Sequence, residues 1–211
     1  RARSNSLRGI VNGIDYNVYN PKTDKDIAVN YSVEDAIKAK AANKTALQKE
    51  LGLEENPDVF MLGIVSRLTD QKGLDLVECV LDQICAEDVQ LVVLGTGEGK
   101  YQDMFTYYSR KYPERVSANI FYSEALSHRI YASCDAFLMP SLFEPCGLSQ
   151  LMSLRYGTLP IVRETGGLRD TVTPYNEVDG TGTGFSFTNY NAHEMLAIIR
   201  YAKKTYFNDR R

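Results

Sequence analysis

The amino-acid sequence predicts an α/β domain with a Rossmann-like parallel sheet that carries helices on both faces. Short apolar runs alternate along the chain with segments whose apolar residues recur at helical spacing, which is the pattern of successive β-α units. The runs are short and apolar, as expected for strands that are buried on both sides. The chain has 211 residues, 44% hydrophobic and 24% charged, so it is long enough for one domain with a sizeable core.

Six candidate strands account for the sheet. Most of them are followed by Gly, Ser or Thr, which are typical of the turns that lead out of a strand. The strands are predicted at residues 59–65, 90–95, 116–121, 136–140, 159–162 and 184–187.

The helices are predicted from apolar stripes three or four residues apart. An earlier helix is predicted from Ser32, which precedes Asp35 by three residues as in a capping box, to a glycine stop at Gly52. The three clearest stripes are Leu74, Val77, Leu81 and Ile84; Tyr101, Phe105 and Tyr108; and Met195, Ile198, Ile199, Ala202 and Tyr206.

The first thirty residues differ from the rest of the chain. Residues 1–30 are predicted to be a hinge or lead-in segment, and residues 31–211 the folded domain. Residues 9–15 read as a β-like run broken by Asn12-Gly13, which indicates either a lead-in strand or a hinge. Asp24 and Asp26 have the spacing of a metal-binding D-x-D, but they lie in a polar stretch and are interpreted as part of a turn, so no metal site is predicted.

Composition excludes several classes of partner. There are 24 Lys and Arg against 27 Asp and Glu, giving a net charge of −3, and no basic stripe is present, so nucleic acid is not an expected partner. No apolar run reaches the roughly 18 residues of a membrane helix, so no membrane is expected either. The cysteines at 79, 85, 134 and 146 are scattered without metal-ligand spacing, which favours reduced thiols in a cytoplasm.

The loops after the strands are the candidate functional sites, because ligands of open parallel sheets lie beyond the carboxyl ends of the strands. The first of these loops contains Arg67 and Lys72, two cations that could reach one anion, with a helix N-terminus behind them. A solvated polar loop would explain the same residues. In isolation, that second interpretation is favoured for surface cations.

The loop after the fourth strand carries the most information. Pro145 holds Glu144 out of helical geometry, and Gly147 opens the next helix so that the amides of Leu148 and Ser149 face a ligand. Glu144 could accept hydrogen bonds from hydroxyl groups while the helix end holds a diphosphate. The alternative is that Glu144 caps a neighbouring helix and Cys146 is a small buried filler.

Other post-strand loops give weaker signals. The loop at residues 95–99 is a truncated dinucleotide fingerprint and is better explained as a tight β-α turn. Thr165, Gly166 and Gly167 again place glycines at a helix start, where either an anion or a sharp turn would use them. Tyr122 puts an aromatic face at the same edge, where a nucleobase could stack. His128 is expected on a helix and hydrogen-bonded or solvated rather than catalytic.

Taken together, these loops resemble the glycogen synthase and starch synthase family of ADP-glucose-dependent retaining glucosyltransferases. The resemblance runs from Leu7 to about Phe187 and starts at Leu-Arg-Gly-Ile-Val-Asn-Gly-Ile-Asp of residues 7–15. Its other motifs are Ser-Arg-Leu-Thr-x-Gln-Lys-Gly (66–73), Glu-Pro-Cys-Gly-Leu-x-Gln (144–150) and Thr-Gly-Gly-Leu-x-Asp-Thr-Val (165–172). The family implies that the domain is the C-terminal, nucleotide-sugar-binding half of a GT-B fold.

The resemblance also implies roles for individual residues. Glu144 would bind the transferring glucose, and Arg67 and Lys72 would hold the donor diphosphate, these three being the catalytic set. Asn12 would face the cleft from the hinge. The remaining donor-binding positions would be Tyr122 against adenine, Cys146, the helix start at Gly147, Leu148 and Ser149, and the loop of Thr165, Gly166 and Gly167.

The implied reaction transfers glucose from ADP-glucose to the non-reducing end of an α-1,4-glucan, with no cofactor and no metal. No second carboxylate lies opposite Glu144, which favours attack on the same face with the departing phosphate accepting the proton. The family's N-terminal domain, a further partner, is absent, so this chain alone is expected to be inactive. A cytoplasmic bacterial enzyme is expected, or a plastid enzyme for a plant homologue. A UDP-sugar transferase and a non-catalytic nucleotide- or glucan-binding domain are the alternatives.

Overall fold

A computed structural model describes Ser6 and residues 8–208, so Leu7, residues 1–5 and residues 209–211 lie outside the described part. The described part of the chain contains a single six-stranded sheet in which every strand pairs in parallel with its neighbours, in the order β3-β2-β1-β4-β5-β6. The strands are β1 (Phe60–Val65), β2 (Val89–Leu94), β3 (Val116–Asn119), β4 (Ala136–Met139), β5 (Leu159–Arg163) and β6 (Phe185–Phe187). The predicted fold class is confirmed.

The helices alternate with the strands and cover both faces of the sheet. They are α1 (Ala36–Leu51), α2 (Leu74–Cys85), α3 (Gly99–Lys111), α4 (Glu124–Ser133), α5 (Ser149–Arg155), α6 (Gly166–Thr171) and α7 (Ala192–Asn208). A 3-10 turn, Asp70–Lys72, precedes α2. One core layer joins α2, α3 and α7 to the sheet, and the layers on the other face contain α1, α4 and α5.

The apolar stripes read from the sequence are the buried sides of these helices. In β1, Phe60, Leu62 and Ile64 belong to one core layer while Met61 belongs to the opposite one, because successive side chains of a strand point to opposite faces. Burying both faces in this way requires strands without polar alternation. That requirement explains why the strands were visible in the sequence as short, mostly apolar runs.

Helix α1 begins later than its capping signal suggests. Ser32 donates its backbone N–H to Asp35 Oδ1 at 2.7 Å, so the two residues pair, but the helix starts at Ala36. It ends at Gly52 in the left-handed conformation, as predicted. Halfway along, the buried Lys44 donates to Asp135 Oδ2 at 2.6 Å, which fixes α1 to the chain just before β4.

The lead-in segment contains no strand in its described residues, so the strand interpretation of residues 9–15 is wrong and the hinge interpretation stands as a prediction. Asp24 and Asp26 do form a turn, with the Asp26 N–H donating to Asp24 Oδ1 at 2.9 Å. Asp24 is nevertheless buried, because its Oδ2 lies 2.7 Å from His128 Nδ1 on α4 and accepts the hydroxyl proton of Tyr156. The ligand atoms of Asp24, Asp26 and His128 all lie within 4.8 Å, but these hydrogen bonds already engage both Asp24 oxygens.

The strand order locates the functional edge. Chain order reverses between β1 and β4, since β2 and β3 extend the sheet on one side and β5 and β6 on the other. At such a switch point the loops leaving the two central strands diverge and open a crevice at the carboxyl end of the sheet. The β1 loop carries Arg67 and Lys72, and the β4 loop carries Glu144.

Candidate active site at the carboxyl edge of the sheet

An ion pair across the switch point forms the centre of the site. Lys72 Nζ donates to Glu144 Oε2 at 2.5 Å, and the two side chains are 17% and 9% exposed. The sequence predicted both residues at this edge, and the structure brings their charged groups into contact although they are 72 residues apart. Glu144 therefore pairs with a cation, and in the described part of the chain its carboxylate makes no helix-capping hydrogen bond.

The β1 loop presents a second cation to solvent. Arg67 is exposed, and its guanidinium forms no hydrogen bond or ion pair with the described residues. The loop behind it is braced from α3, where Lys100 and Tyr101 both donate to Asp70 Oδ1, at 2.5 and 2.6 Å. Those bonds, the one from Lys100 foremost, lower the pKa of the Asp70 carboxyl. The brace holds the loop and leaves Arg67 available.

The β4 loop folds over a buried glutamine. Gln150 Nε2 donates to the carbonyls of Cys146 and Gly147, at 3.0 and 3.1 Å, and to Thr171 Oγ1 at 3.1 Å. Gly147 has φ +73°, so the chain turns there and α5 begins at Ser149, as predicted. Cys146 is half-buried, so it is only partly enclosed by the core.

The glycine loop after β5 packs against the backbone that carries Glu144. The Gly167 N–H donates to the Glu144 carbonyl at 3.0 Å, and a Cβ on Gly167 would lie 2.2 Å from the Cys146 carbonyl oxygen. At Gly166, where φ is +45°, a Cβ would lie 2.2 Å from the Glu144 carbonyl oxygen. These glycines therefore permit close contact between two loops, and α6 starts at them as predicted.

The glycine loop after β2 also allows two loops to pack closely. A Cβ on Gly97 would lie 2.2 Å from the Leu68 carbonyl oxygen, and the Glu98 N–H donates to that same oxygen at 2.7 Å. The glycine supports the neighbouring β1 loop by close packing. The interpretation of this loop as a tight turn remains a prediction, and what the structure shows is a bridge between Gly97 and Leu68.

Two predicted residues lie apart from the central pair. Tyr122 follows β3, the edge strand, and the residue is 85% exposed. Asn12 is exposed in the lead-in segment, and in the described part no side-chain hydrogen bond joins either residue to the central cluster. An apolar groove of about 470 Å³ lies at the opposite edge of the sheet, where Phe60 and Ala136 line it, and it includes none of the predicted site residues.

Sequence reasoning missed two residues that hold the β4 loop. Gln71 accepts from the Leu142 N–H at 2.9 Å and donates from Nε2 to the Phe143 carbonyl at 3.2 Å. Arg163, at the end of β5, donates to the carbonyls of Ser141 and Leu142. Both were visible as polar residues in post-strand loops, but nothing in a linear pattern signals a side chain that binds another loop's backbone.

The parallel sheet with helices on both faces is the fold of a glycosyltransferase domain, and comparison with known families agrees. The family model described as "Glycosyl transferases group 1" matches residues 43–211. The chain therefore belongs to the group 1 glycosyltransferase family.

Within this family, the chain is similar to glycogen synthases and to a starch synthase. The chain is 72% identical over its whole length to the glycogen synthase of Lachnospira eligens and 65% identical to that of Lachnoclostridium phytofermentans. It is 34% identical, with a TM-score of 0.90 over 99% of the chain, to the catalytic domain of Starch Synthase IV from Arabidopsis thaliana bound to ADP and acarbose. The chain spans 44% of the length of each of these proteins.

A more distant neighbour supports the fold alone. The C-terminal domain of a group 1 glycosyltransferase from Francisella tularensis is 12% identical, with a TM-score of 0.61, and 87% of that domain is covered. The resemblance read from the sequence motifs is thus confirmed at the level of family and named relatives. In the part of the chain that the structure describes, the helices are too short or too polar to cross a membrane.

Proposed function

We propose that this chain is the donor-binding, C-terminal part of a glycogen synthase that transfers glucose from ADP-glucose to the non-reducing end of an α-1,4-glucan. The observation that carries the proposal is the Lys72–Glu144 pair, which places one cation and one carboxylate side by side at the switch point. A sugar diphosphate offers complementary groups, namely negative phosphates and hydroxyl donors. The similarity to glycogen synthases and to a starch synthase bound to ADP supports the choice of donor.

In this proposal, the cations stabilise the leaving group. The Lys72 ammonium has three N–H donors and spends one on Glu144, so two remain for phosphate oxygens. Arg67 adds a planar fork that matches a phosphate. Charge develops on the diphosphate as the glycosidic bond breaks, and one preorganised donor of this kind contributes about 3 kcal/mol in the transition state. We propose that these residues do electrostatic work without a metal.

Glu144 acts on the sugar in this proposal. Its carboxylate accepts hydrogen bonds from glucose hydroxyls and, through Lys72, is coupled to the charge on the leaving group. The glucan hydroxyl attacks the anomeric carbon on the face that the diphosphate leaves, and the departing phosphate accepts the hydroxyl proton. The helix start at Gly147, Leu148 and Ser149 adds backbone donors to the phosphates, as the family resemblance implies.

The test of the Glu144 role uses the full-length protein. Glu144→Gln should lower kcat by about 10²-fold or more and leave ADP affinity nearly unchanged, because the side chain contacts the sugar and not the nucleotide. Glu78→Gln, an exposed carboxylate on α2, is the matched control and should leave both unchanged. Equal losses of kcat and ADP affinity in Glu144→Gln would reject this role.

The Lys72 role has a different signature. Lys72→Ala should weaken ADP binding and slow transfer together, since the ammonium contacts phosphate in both the bound and the reacting states. Lys204→Ala, an exposed lysine on α7, is the control. ADP affinity in Lys72→Ala equal to that of the control would remove Lys72 from the phosphate site.

Donor choice and context are tested with the same protein. ADP-glucose should be used in preference to UDP-glucose, and preference for UDP-glucose would favour the UDP-sugar transferase alternative. Glucan binding without any nucleotide binding would favour the non-catalytic alternative.

We propose that the 211-residue chain alone transfers no glucose because the acceptor side lies in the N-terminal domain, and that the whole protein works in the bacterial cytoplasm. In a plant homologue, the corresponding place is the plastid.

A further inference from the structure

The loop that presents Glu144 is held from both sides, by Gln71 in the turn after β1 and by Arg163 at the end of β5. On the β1 side, the Leu142 N–H donates to the Gln71 carbonyl at 2.9 Å, and Gln71 Nε2 donates to the Phe143 carbonyl at 3.2 Å. On the β5 side, Arg163 Nε donates to the Ser141 carbonyl at 2.9 Å, and its Nη2 donates to the Leu142 carbonyl. Every backbone carbonyl from residue 141 to residue 143 thus accepts a side-chain hydrogen bond.

Arg163 is itself held in place. Its guanidinium carbon lies 5.7 Å from the centre of the Tyr190 ring, a cation-π contact, and its Nη1 donates to the Thr188 carbonyl at 3.5 Å. The Tyr190 hydroxyl donates to Asp75 in the first turn of α2. These contacts fix the orientation of the planar Arg163 guanidinium, which bonds two loop carbonyls at once. A lysine ammonium could not bond both carbonyls in the same way.

This arrangement links β5 to the reactive pair. Glu144 meets Lys72 only if its backbone is correctly placed, and the two residues before Phe143 are the ones that Arg163 holds. Further along, the Glu144 carbonyl accepts from Gly167, so removing Arg163 would leave the stretch between Pro140 and Glu144 secured from the β1 side alone. A displacement of about 1 Å at a catalytic group can reduce a rate by about 10²-fold.

We propose that Arg163 is a positioning residue for Glu144, holding the Ser141 and Leu142 carbonyls so that the carboxylate reaches Lys72 and the transferring sugar. This assignment rests on the proposed function, because it takes Glu144 as the sugar-binding group. Arg163 contacts the loop backbone and, in this assignment, contacts neither substrate.

The test compares three variants of the full-length protein, namely Arg163→Met, Arg163→Lys and the control Arg169→Met. Arg169 is an exposed arginine on α6. Methionine keeps length and removes every donor, so kcat should fall about 10²-fold while KM for ADP-glucose changes less than about three-fold. Lysine reaches one carbonyl and should recover part of kcat. Arg169→Met should behave as the unmodified protein. Thermal melting and circular dichroism establish the folded fraction of each variant.

Each outcome decides the assignment. A kcat for Arg163→Met within about two-fold of that of Arg169→Met would overturn it, as would a loss that only matches the folded fraction. If the methionine variant does not fold, the folded lysine variant decides, and unchanged kcat there overturns the assignment. If Arg169→Met and the unmodified protein transfer no glucose, the proposed function has failed. Loop positioning is then decided by hydrogen exchange at the Leu142 amide, which should be faster in the folded Arg163 variants than in Arg169→Met, equal exchange overturning it.

Discussion

Adding one methyl group at Gly167 should impair catalysis more than folding. The Cβ of an alanine there would lie 2.2 Å from the Cys146 carbonyl oxygen and 2.4 Å from its Cα, whereas ordinary contact begins at 3.4 Å. Both clashing atoms belong to backbone, so no flexible side chain can move aside. The φ of Gly167 is outside the left-handed region, and the effect of Gly167→Ala is therefore purely steric.

The size of the loss in kcat follows from how far the two loops must separate to relieve the clash. The two loops have to separate by about 1 Å, and the loop that moves carries Glu144 and accepts the Gly167 N–H at the Glu144 carbonyl. A 1 Å misplacement of a reacting group costs about 10²-fold in rate. Overpacking of this kind lowers the free energy of unfolding by about 1–3 kcal/mol, which a domain of this size tolerates.

The assay is steady-state transfer from ADP-glucose by the full-length protein, with urea unfolding measured in parallel. Gly99→Ala is the matched control, because a Cβ at the first residue of α3 meets nothing within 4 Å. The control should keep its kcat, and Gly167→Ala should lose about 10²-fold. The steric reasoning would be refuted by a Gly167→Ala protein whose kcat and unfolding free energy both equal those of the control.

Three further predictions concern other parts of the chain. Lys44→Met should lower the free energy of unfolding by about 3–5 kcal/mol because Asp135 becomes an unpaired buried charge, and urea unfolding would contradict this with a loss below about 1 kcal/mol. Burial raises the pKa of the Cys134 thiol to about 12, so iodoacetamide at about pH 8 should alkylate exposed Cys79 first, and mass spectrometry showing equal labelling would disprove it. Tyr122→Ala should weaken ADP binding by about 1–3 kcal/mol without changing Tm, since the residue is 85% exposed, and unchanged affinity in calorimetry removes it from the site.

Much of the fold could be predicted because its strongest constraint is local. Strands buried on both faces must be largely apolar, and helices that cover them must be apolar every three or four residues. The positions at which elements begin and end were predicted less accurately. The third strand stops at Asn119 instead of residue 121, and the lead-in run at residues 9–15 has strand composition without any neighbouring strand to pair with. Pairing is a tertiary property, so composition alone could not decide it.

The site was only partly predictable for the same reason. Glu144 and Lys72 were placed at one edge because parallel strands all end there, yet their contact depends on β1 and β4 being adjacent. The role of Arg163 was hidden, since its partners are carbonyl groups, which every residue carries. His128 was expected to be hydrogen-bonded, but its partner Asp24 lies 104 residues away in a segment interpreted as a simple turn.

The attachment of the lead-in segment has a mechanical consequence for a longer polypeptide. Between Asp24 and Tyr31, this segment is fastened by the bonds of Asp24 to His128 and Tyr156 and by the Tyr31 hydroxyl, which donates to the Tyr156 carbonyl at 2.8 Å. A force applied upstream is therefore carried into the middle of α4 at His128 and into the C-terminal end of α5 at Tyr156. The segment is also held upstream of Asp24, where the Tyr19 carbonyl accepts from Arg155 Nε at 3.1 Å and the Tyr19 ring stacks on His128, so swivelling of this segment within a longer polypeptide would take place before Tyr19.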